Sequence, residues 1–322
     1  MKHSKAIKWI LTLCLSVGLI SAGFTADFPS KPIRLISPFP PGGPNGTVSQ
    51  ALKGPLGKAL GVNILYEPMG GASTKTGTNA VLNASNDGYT IILSSDLTWL
   101  FLYYSRVYGT KVWEQLTPIG NVTVEPYGLI EVRMESPFKT WADLVKFAKE
   151  NPGKLTCGGT GAGGQAQALN IQLNKAAGIE TTYVPFSGGG PSAVALLGGH
   201  VDFRPAGLSE AYPNMKAGKS RVLAIPTEKR MAEFPDIPTY KELGLGEGID
   251  FVRSVWGPPN LPAAVVKRLT DGLAKATKDP EFVKLMQTQL HYSIEYRPPE
   301  KVLSVVKDFD RKNGARLREL NK

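Results

Sequence analysis

Short apolar runs alternate along this chain with stretches of helical spacing. Ile33-Arg34-Leu35-Ile36-Ser37 predicts a strand, and Val48 to Leu60 predicts a helix that ends at Gly61. Val62 to Glu67 reads as a second strand, residues 77–85 as a second helix, and Asp87-Gly88-Tyr89 as a turn. Thr90 to Ser94 is largely apolar, as expected of a strand covered on both faces. The first hundred residues therefore read β-α-β-α-β, the signature of a parallel sheet.

The pattern then repeats. Strands are expected at residues 119–124 and 127–132. A helix follows from Trp141 to Glu150, with Thr140 as its cap and Asn151-Pro152-Gly153 as its end. Lys154 to Cys157, Thr182 to Phe186, Val201 to Arg204 and Arg221 to Ile225 read as strands, with helices from Gln165 to Ala177 and up to Leu197. Phe251 to Gly257 is strand-like, and residues 263–277, 280–289 and 299–319 read as helices. The expected fold is α/β: a two-lobed clamshell of two mostly parallel sheets flanked by helices, with two crossover strands as hinge. Lobe 1 is expected to hold residues 27–124 and 250–322, and lobe 2 residues 125–249.

Glycine-rich loops stand before several of the helices. Pro38 to Thr47 has four prolines and three glycines in ten residues, a stiff loop of defined shape at a helix mouth. It reads either as a rigid strand-to-helix turn or as a place for an anion. Met69 to Gly77, Gly158 to Gly164 and Ser187 to Ser192 are of the same kind. If these loops face one another, backbone N–H groups and helix N-termini converge on one spot and hold a carboxylate without a buried Arg. Thr47, Ser73, Thr74, Thr160, Ser187 and Ser192 would add hydroxyl donors. Trp99 to Tyr108 is rich in aromatics, which fits a core-facing helix or an aromatic wall beside a ligand.

Composition narrows the function. The chain has 322 residues, enough for two domains. Residues 1–26 read as a secretory signal: Lys2, Lys5 and Lys8, an apolar run from Trp9 to Ile20, then small residues. Removing those three lysines lowers the formal charge from +10 to +7. Basic residues are scattered without interleaved aromatics, which argues against nucleic acid. Cys157 is then the one remaining cysteine, so no intrachain disulfide can form. With His3, His200 and His291 as the histidines, no metal cluster is expected. Gly159-Thr160-Gly161-Ala162-Gly163-Gly164 has the spacing of a dinucleotide loop, but its mid-chain position and the three similar loops argue against that use. No cofactor is expected. No G-x-S-x-G and no paired base and nucleophile are present, so the chain does not read as an enzyme. Asp202 reads as a ligand-site acid or as a structural acceptor.

The chain resembles the extracytoplasmic solute receptors of the tripartite tricarboxylate transporter family, the TctC/Bug type. The resemblance rests on Pro29-Ser30-Lys31-Pro32-Ile33, Pro38-Phe39-Pro40-Pro41-Gly42-Gly43, Asn86-Asp87-Gly88-Tyr89-Thr90 and Asn151-Pro152-Gly153-Lys154-Leu155. It continues through Val184 to Ser192, Leu196 to Asp202, Ala217 to Ala224 and Phe234 to Thr239. It implies a periplasmic, monomeric binding protein that captures a di-, tri- or aromatic carboxylate and delivers it to a permease of one large and one small membrane subunit. A sensor that presents its closed form to a membrane kinase is the alternative. Carried over, the ligand contacts are Pro40, Gly42, Gly43, Asn45, Gly46 and Thr47, then Ser94, Ser95 and Asp96. In the second lobe they are Thr160, Gly163, Gly164, Gln165, Gln167, Phe186, Ser187, Gly188, Gly189 and Asp202. Gly46 departs from the family's usual Asp, Gln167 from its frequent His, and Pro44-Asn45 from its commoner hydroxyl pair.

Overall fold

The computed structural model describes residues 28–289 and 292–320; the expected signal segment and His291 lie outside them. The elements in order are β1 (Ile33–Ser37), α1 (Pro44–Leu60), β2 (Ile64–Pro68), α2 (Lys75–Leu82), β3 (Thr90–Ser95), α3 (Thr98–Tyr104) and α4 (Val112–Gln115). Then come β4 (Thr117–Arg133), α5 (Trp141–Glu150), β5 (Thr156–Thr160), α6 (Gln165–Ala177), β6 (Thr182–Phe186), α7 (Gly189–Leu197), β7 (Arg204–Gly207) and α8 (Leu208–Lys216). The chain closes with β8 (Ser220–Val222), β9 (Ile249–Gly257), α9 (Ala263–Ala276), α10 (Pro280–Lys284), a π-helical turn at Leu285–Gln289, β10 (Ser293–Ile294) and α11 (Pro299–Leu320).

β1 lies between β2 and β3, parallel to both. Its two faces are buried in different cores. Ile33 and Leu35 pack with α1 and α9, whereas Ile36 packs with Trp99, Leu100 and Trp256. Burial on both sides explains the near-continuous apolar run.

The sheets are less parallel than expected. β9 pairs antiparallel with β3 and β4, and β7 and β8 pair antiparallel with β4, so the eight-stranded sheet is mixed. The two strands expected at 119–124 and 127–132 are one 17-residue strand, β4. Pro126 does not break it, because its partner across the ladder, Asp250, lies near the start of β9. β4 runs from the β9 ladder, Thr117↔Gly257 to Tyr127↔Ile249, onto β7 and β8. β4 and β9 are thus the crossovers. β5 and β6 form a second, parallel sheet, with a single bridge from Cys157 to Phe203 beside β7.

The chain end returns to the first half. Arg268 on α9 donates to the carbonyls of Ala59 and Leu60 at the end of α1. Asp310 on α11 accepts from Tyr104 Oη at 2.5 Å. A separate core, from Tyr127 through Trp141 and Leu169 to Leu245, fills the second half. Trp99 is fully buried, with its Nε1 donating to Thr78 Oγ1 at 3.0 Å, so the aromatic stretch packs into the core, helical as far as Tyr104.

Candidate functional site

Helix α1 starts at Pro44, four residues earlier than its apolar spacing indicates. Proline suits the first helical position, since its fixed φ is already helical and its missing N–H would be unpaired there. The rigid loop is therefore Pro38 to Gly43, and Asn45, Gly46 and Thr47 belong to the first turn of the helix. Their directions differ accordingly. Asn45 points into the space between the two halves, whereas a side chain at Gly46 would meet Tyr66 Oη at 3.0 Å.

Four helices begin at the carboxyl ends of strands around that space: α1 after β1, α6 after β5, α7 after β6 and α8 after β7. Their N-caps are Gly43, Gly164, Gly188 and Gly207, all with extended ψ. None of these caps has a side chain to satisfy the first N–H groups. α1, α6 and α7 also have no acidic residue in the first turn. Three helix N-termini without an acidic residue of their own, one from the first half and two from the second, thus open on one cavity of about 250 Å³, and Glu210 Oε1 lies beside Gly189 at the start of α7. The fourth, α8, is neutralised from within. Glu210 Oε2 accepts from Gly207 N at 3.3 Å, and Glu125 Oε2 accepts from Ser209 N at 2.8 Å.

The halves touch across the cavity. A Cβ on Gly43 would lie 3.7 Å from Gly190 N and 3.9 Å from Gly189 N, and one on Gly188 would lie 3.2 Å from Pro40 Cγ. Ser105 Oγ, just past α3, donates to the Gly163 carbonyl. The walls are mostly apolar, with Phe39, Leu102, Tyr127, Phe186 and Phe251 among them.

Of the residues carried over from the family, Pro40, Gly43, Asn45, Thr160, Gly164, Gln165, Phe186, Ser187, Gly188 and Gly189 line this cavity together. The others lie elsewhere. Gly42, Gly46 and Thr47 face an outer groove beside Tyr66, and Thr47 Oγ1 donates to Gly43 O at 3.1 Å. Ser94 and Ser95 are sealed within β3. Asp96 is buried beneath the site, where its Oδ2 accepts from Ser254 Oγ at 2.8 Å and its Oδ1 from Trp256 Nε1 at 3.2 Å. Its carboxyl is pushed up to about 7, chiefly by burial, against those two donors and Arg297. Gln167 turns back, its Oε1 accepting from Gly163 N at 2.7 Å, and so shapes the loop from behind. Gly163 packs against Ser105. Asp202 is a structural acceptor: its Oδ2 takes Thr156 N and Thr156 Oγ1, both at 2.8 Å, at the opposite end of β5 from Thr160.

Several polar atoms at the cavity are buried without a partner: Asn45 Oδ1, Gln165 Nε2 and Oε1, and Arg253 Nε and Nη1. Such atoms are costly unless something supplies their hydrogen bonds. Glu210 and Arg253 are cavity-lining residues that the loop reading did not reach. Arg253 Nη2 lies 2.7 Å from Glu125 Oε1, and its guanidinium stacks on Phe251 at 4.4 Å and Tyr292 at 5.1 Å. Arg204 Nε donates to Glu131 Oε2 at 2.7 Å, and its Nη1 donates to Gly189 O at 3.1 Å. Burial pushes the Glu210 carboxyl up, against the pull of Arg204. A legible signal for these groups did exist. Glu125 and Glu131 each stand between apolar neighbours and Arg253 follows two apolar residues, all in strand-like runs, and buried charges are paired or functional.

Residues 48–321 match the profile of the family described as "Tripartite tricarboxylate transporter family receptor". Among curated relatives, the chain is 31% identical over 250 residues to the protein BugT of Bordetella pertussis, covering 77% of this chain and 76% of that one. It is 32% identical over 261 residues to a protein from the TAR-I ttuE–ttuC′ intergenic region of Agrobacterium vitis, covering 80% and 75%. Among solved structures, the periplasmic binding protein BugD superposes with a TM-score of 0.82 at 28% identity, covering 91% of this chain and 98% of that one. MatC of Rhodopseudomonas palustris with bound malate gives 0.81 at 25% identity, covering 92% and 100%.

Proposed function

The chain belongs to the tripartite tricarboxylate transporter receptor family, a family of solute-binding proteins rather than enzymes, and on that premise we propose that it captures an organic carboxylate between its two halves. Residues 27–124 with 250–322 form one jaw and residues 125–249 the other. The mature chain works in the periplasm, where its loaded, closed form delivers the ligand to the large and small membrane subunits of a permease. The observation that carries this reading is the convergence of three helix N-termini, none with an acidic residue in its first turn, on one cavity. Backbone N–H groups and helix dipoles hold an anion without a full countercharge, which suits capture followed by release. Malate bound to MatC supports the carboxylate class. The contacts of the anion in this reading are the backbone N–H groups around Gly43, Gly164, Gly188 and Gly189, with Asn45, Thr160, Gln165 and Ser187 as side-chain partners.

A thermal-shift panel of mono-, di- and tricarboxylates tests the reading. A ligand present at ~100 times its dissociation constant stabilises the fold by about 2.7 kcal/mol. At least one acid of the panel is expected to raise Tm, and a panel without any shift overturns the carboxylate reading.

A further inference from the structure

Five charged side chains cluster behind the cavity wall, two of which, Glu210 and Arg253, line it: Glu125 and Glu131 on β4, Arg204 on β7, Glu210 on α8 and Arg253 on β9. Resting on the carboxylate reading, we infer that Glu210 is a specificity-determining residue that accepts a hydrogen bond from a hydroxyl or ammonium group of the ligand. The preferred ligand is then a hydroxy- or amino-substituted carboxylate.

The pairing leaves Glu210 over. Arg253 is matched to Glu125 and Arg204 to Glu131, each at 2.7 Å. Glu210 is 3.5 Å from Arg204 Nη1, an atom that already donates to Gly189 O at 3.1 Å. With all five ionised, two cations face three carboxylates, so the cluster is one positive charge short. Exposure singles out the same residue. The side chains of Glu125, Glu131, Arg204 and Arg253 are 0–1% exposed, and that of Glu210 is 12% exposed, in the wall of the cavity. Its Oε2 takes both the Gly207 and the Arg204 contacts, while Oε1 lies against Gly189, itself part of the wall. An ionised carboxylate only accepts hydrogen bonds, so the group it calls for is a donor.

Arg253 does not play the complementary part. Its Nη2 is held by Glu125 and its guanidinium stacks on Phe251 and Tyr292; although Nε and Nη1 lack partners, the side chain is only 1% exposed and a ligand would have to displace that packing to reach them. The ligand anion therefore goes to the helix N-termini, and Glu210 meets another part of the same molecule. Asn45 Oδ1 and Gln165 Nε2 and Oε1 at the same cavity are further unpartnered atoms whose hydrogen bonds a polar ligand completes.

The test is calorimetry on the mature chain with matched trios built on acids that the thermal-shift panel shows to bind. Examples are succinate, malate and aspartate, or 3-phenylpropionate, 3-phenyllactate and phenylalanine. In wild type a donor-bearing member is expected to bind at least tenfold more tightly than its unsubstituted parent. Glu210→Leu should close that gap to within about threefold, and Glu210→Gln should close it for the ammonium member. A parent acid that binds as tightly as its substituted partners overturns the inference and leaves the carboxylate reading standing. A gap that survives in a folded Glu210→Leu overturns it too, and the wild-type comparison decides alone if that variant does not fold. If no acid in the panel binds, the carboxylate reading fails and takes this inference with it.

Discussion

The Glu210 carboxylate rests on the backbone of Gly189, so closely that a Cβ built on that glycine would overlap Oε1 and stand 2.9 Å from Cδ. Glu210 cannot easily yield, because Oε2 is tied to Gly207 N and lies beside Arg204. Gly189→Ala is therefore expected to destabilise the fold by ~1–3 kcal/mol, as overpacking does. Most of that cost should vanish in a Glu210→Ala background. Urea unfolding of the four proteins in the cycle measures the coupling, and strictly additive effects would show that the two residues do not constrain each other.

Gly43 faces the same jaw from the other side. A methyl there meets Gly190 N at 3.7 Å and Gly189 N at 3.9 Å, ordinary contact distances. Gly43→Ala should fold with stability close to wild type, yet its methyl takes the space where an anion would reach both amides. Affinity for a panel ligand should fall at least tenfold, about 1.4 kcal/mol. Calorimetry showing unchanged affinity would remove this loop from the site.

Arg253 and Glu125 form a sealed ion pair at 2.7 Å. Removing one partner leaves the other as an uncompensated buried charge. Arg253→Met should cost about 3–5 kcal/mol, and Arg253→Met with Glu125→Gln should recover a large part of it. Denaturant midpoints read out both variants; a single mutant as stable as wild type would contradict the pairing.

Asp96 makes stability depend on pH in a definite direction. Its folded carboxyl is pushed up to about 7 by burial, against an ordinary value of 3.8. Between those values the folded chain holds a proton that the unfolded chain has lost. Stability from this group is full below about pH 4, falls as pH rises towards 7, and levels off above that, by up to about 1.4 kcal/mol per pH unit. Asp96→Asn should remove this slope and be at least as stable as wild type at pH 8, since an amide can still accept from Trp256 while Ser254 turns its hydroxyl. Glu210 and Asp250 are also raised, so the measurement is the difference between wild type and variant. Parallel stability curves for the two proteins from pH 4 to 8 would refute the assignment.

The β-α alternation, the glycine loops and the family were legible in the chain because they are local: a few adjacent residues decide a strand, a helix end or a tight turn. Pro40, Gly43, Gly164, Gln165 and Ser187 to Gly189 came from the family resemblance those local motifs carry, and the fold brings them to one cavity. Direction was harder. Gly46 and Thr47 sit beside Asn45 in sequence but turn outward, since one residue along a helix rotates a side chain by about 100°. Asp202 read equally as a site acid or a structural acceptor, and it serves β5, because the fold places Thr156 next to it. The antiparallel course of β4 and β9 was not legible either. Apolar content is the same for a buried strand in either direction, and only long-range pairing decides it. Glu125, Arg204, Glu210 and Arg253 lie up to 128 residues apart, and no local rule joins them. The chain by itself determined that loops with unfilled N–H groups would exist. The tertiary structure decided which of them face one cavity, and that a left-over carboxylate stands among them, because charge balance in a buried cluster depends on which strands the fold brings side by side.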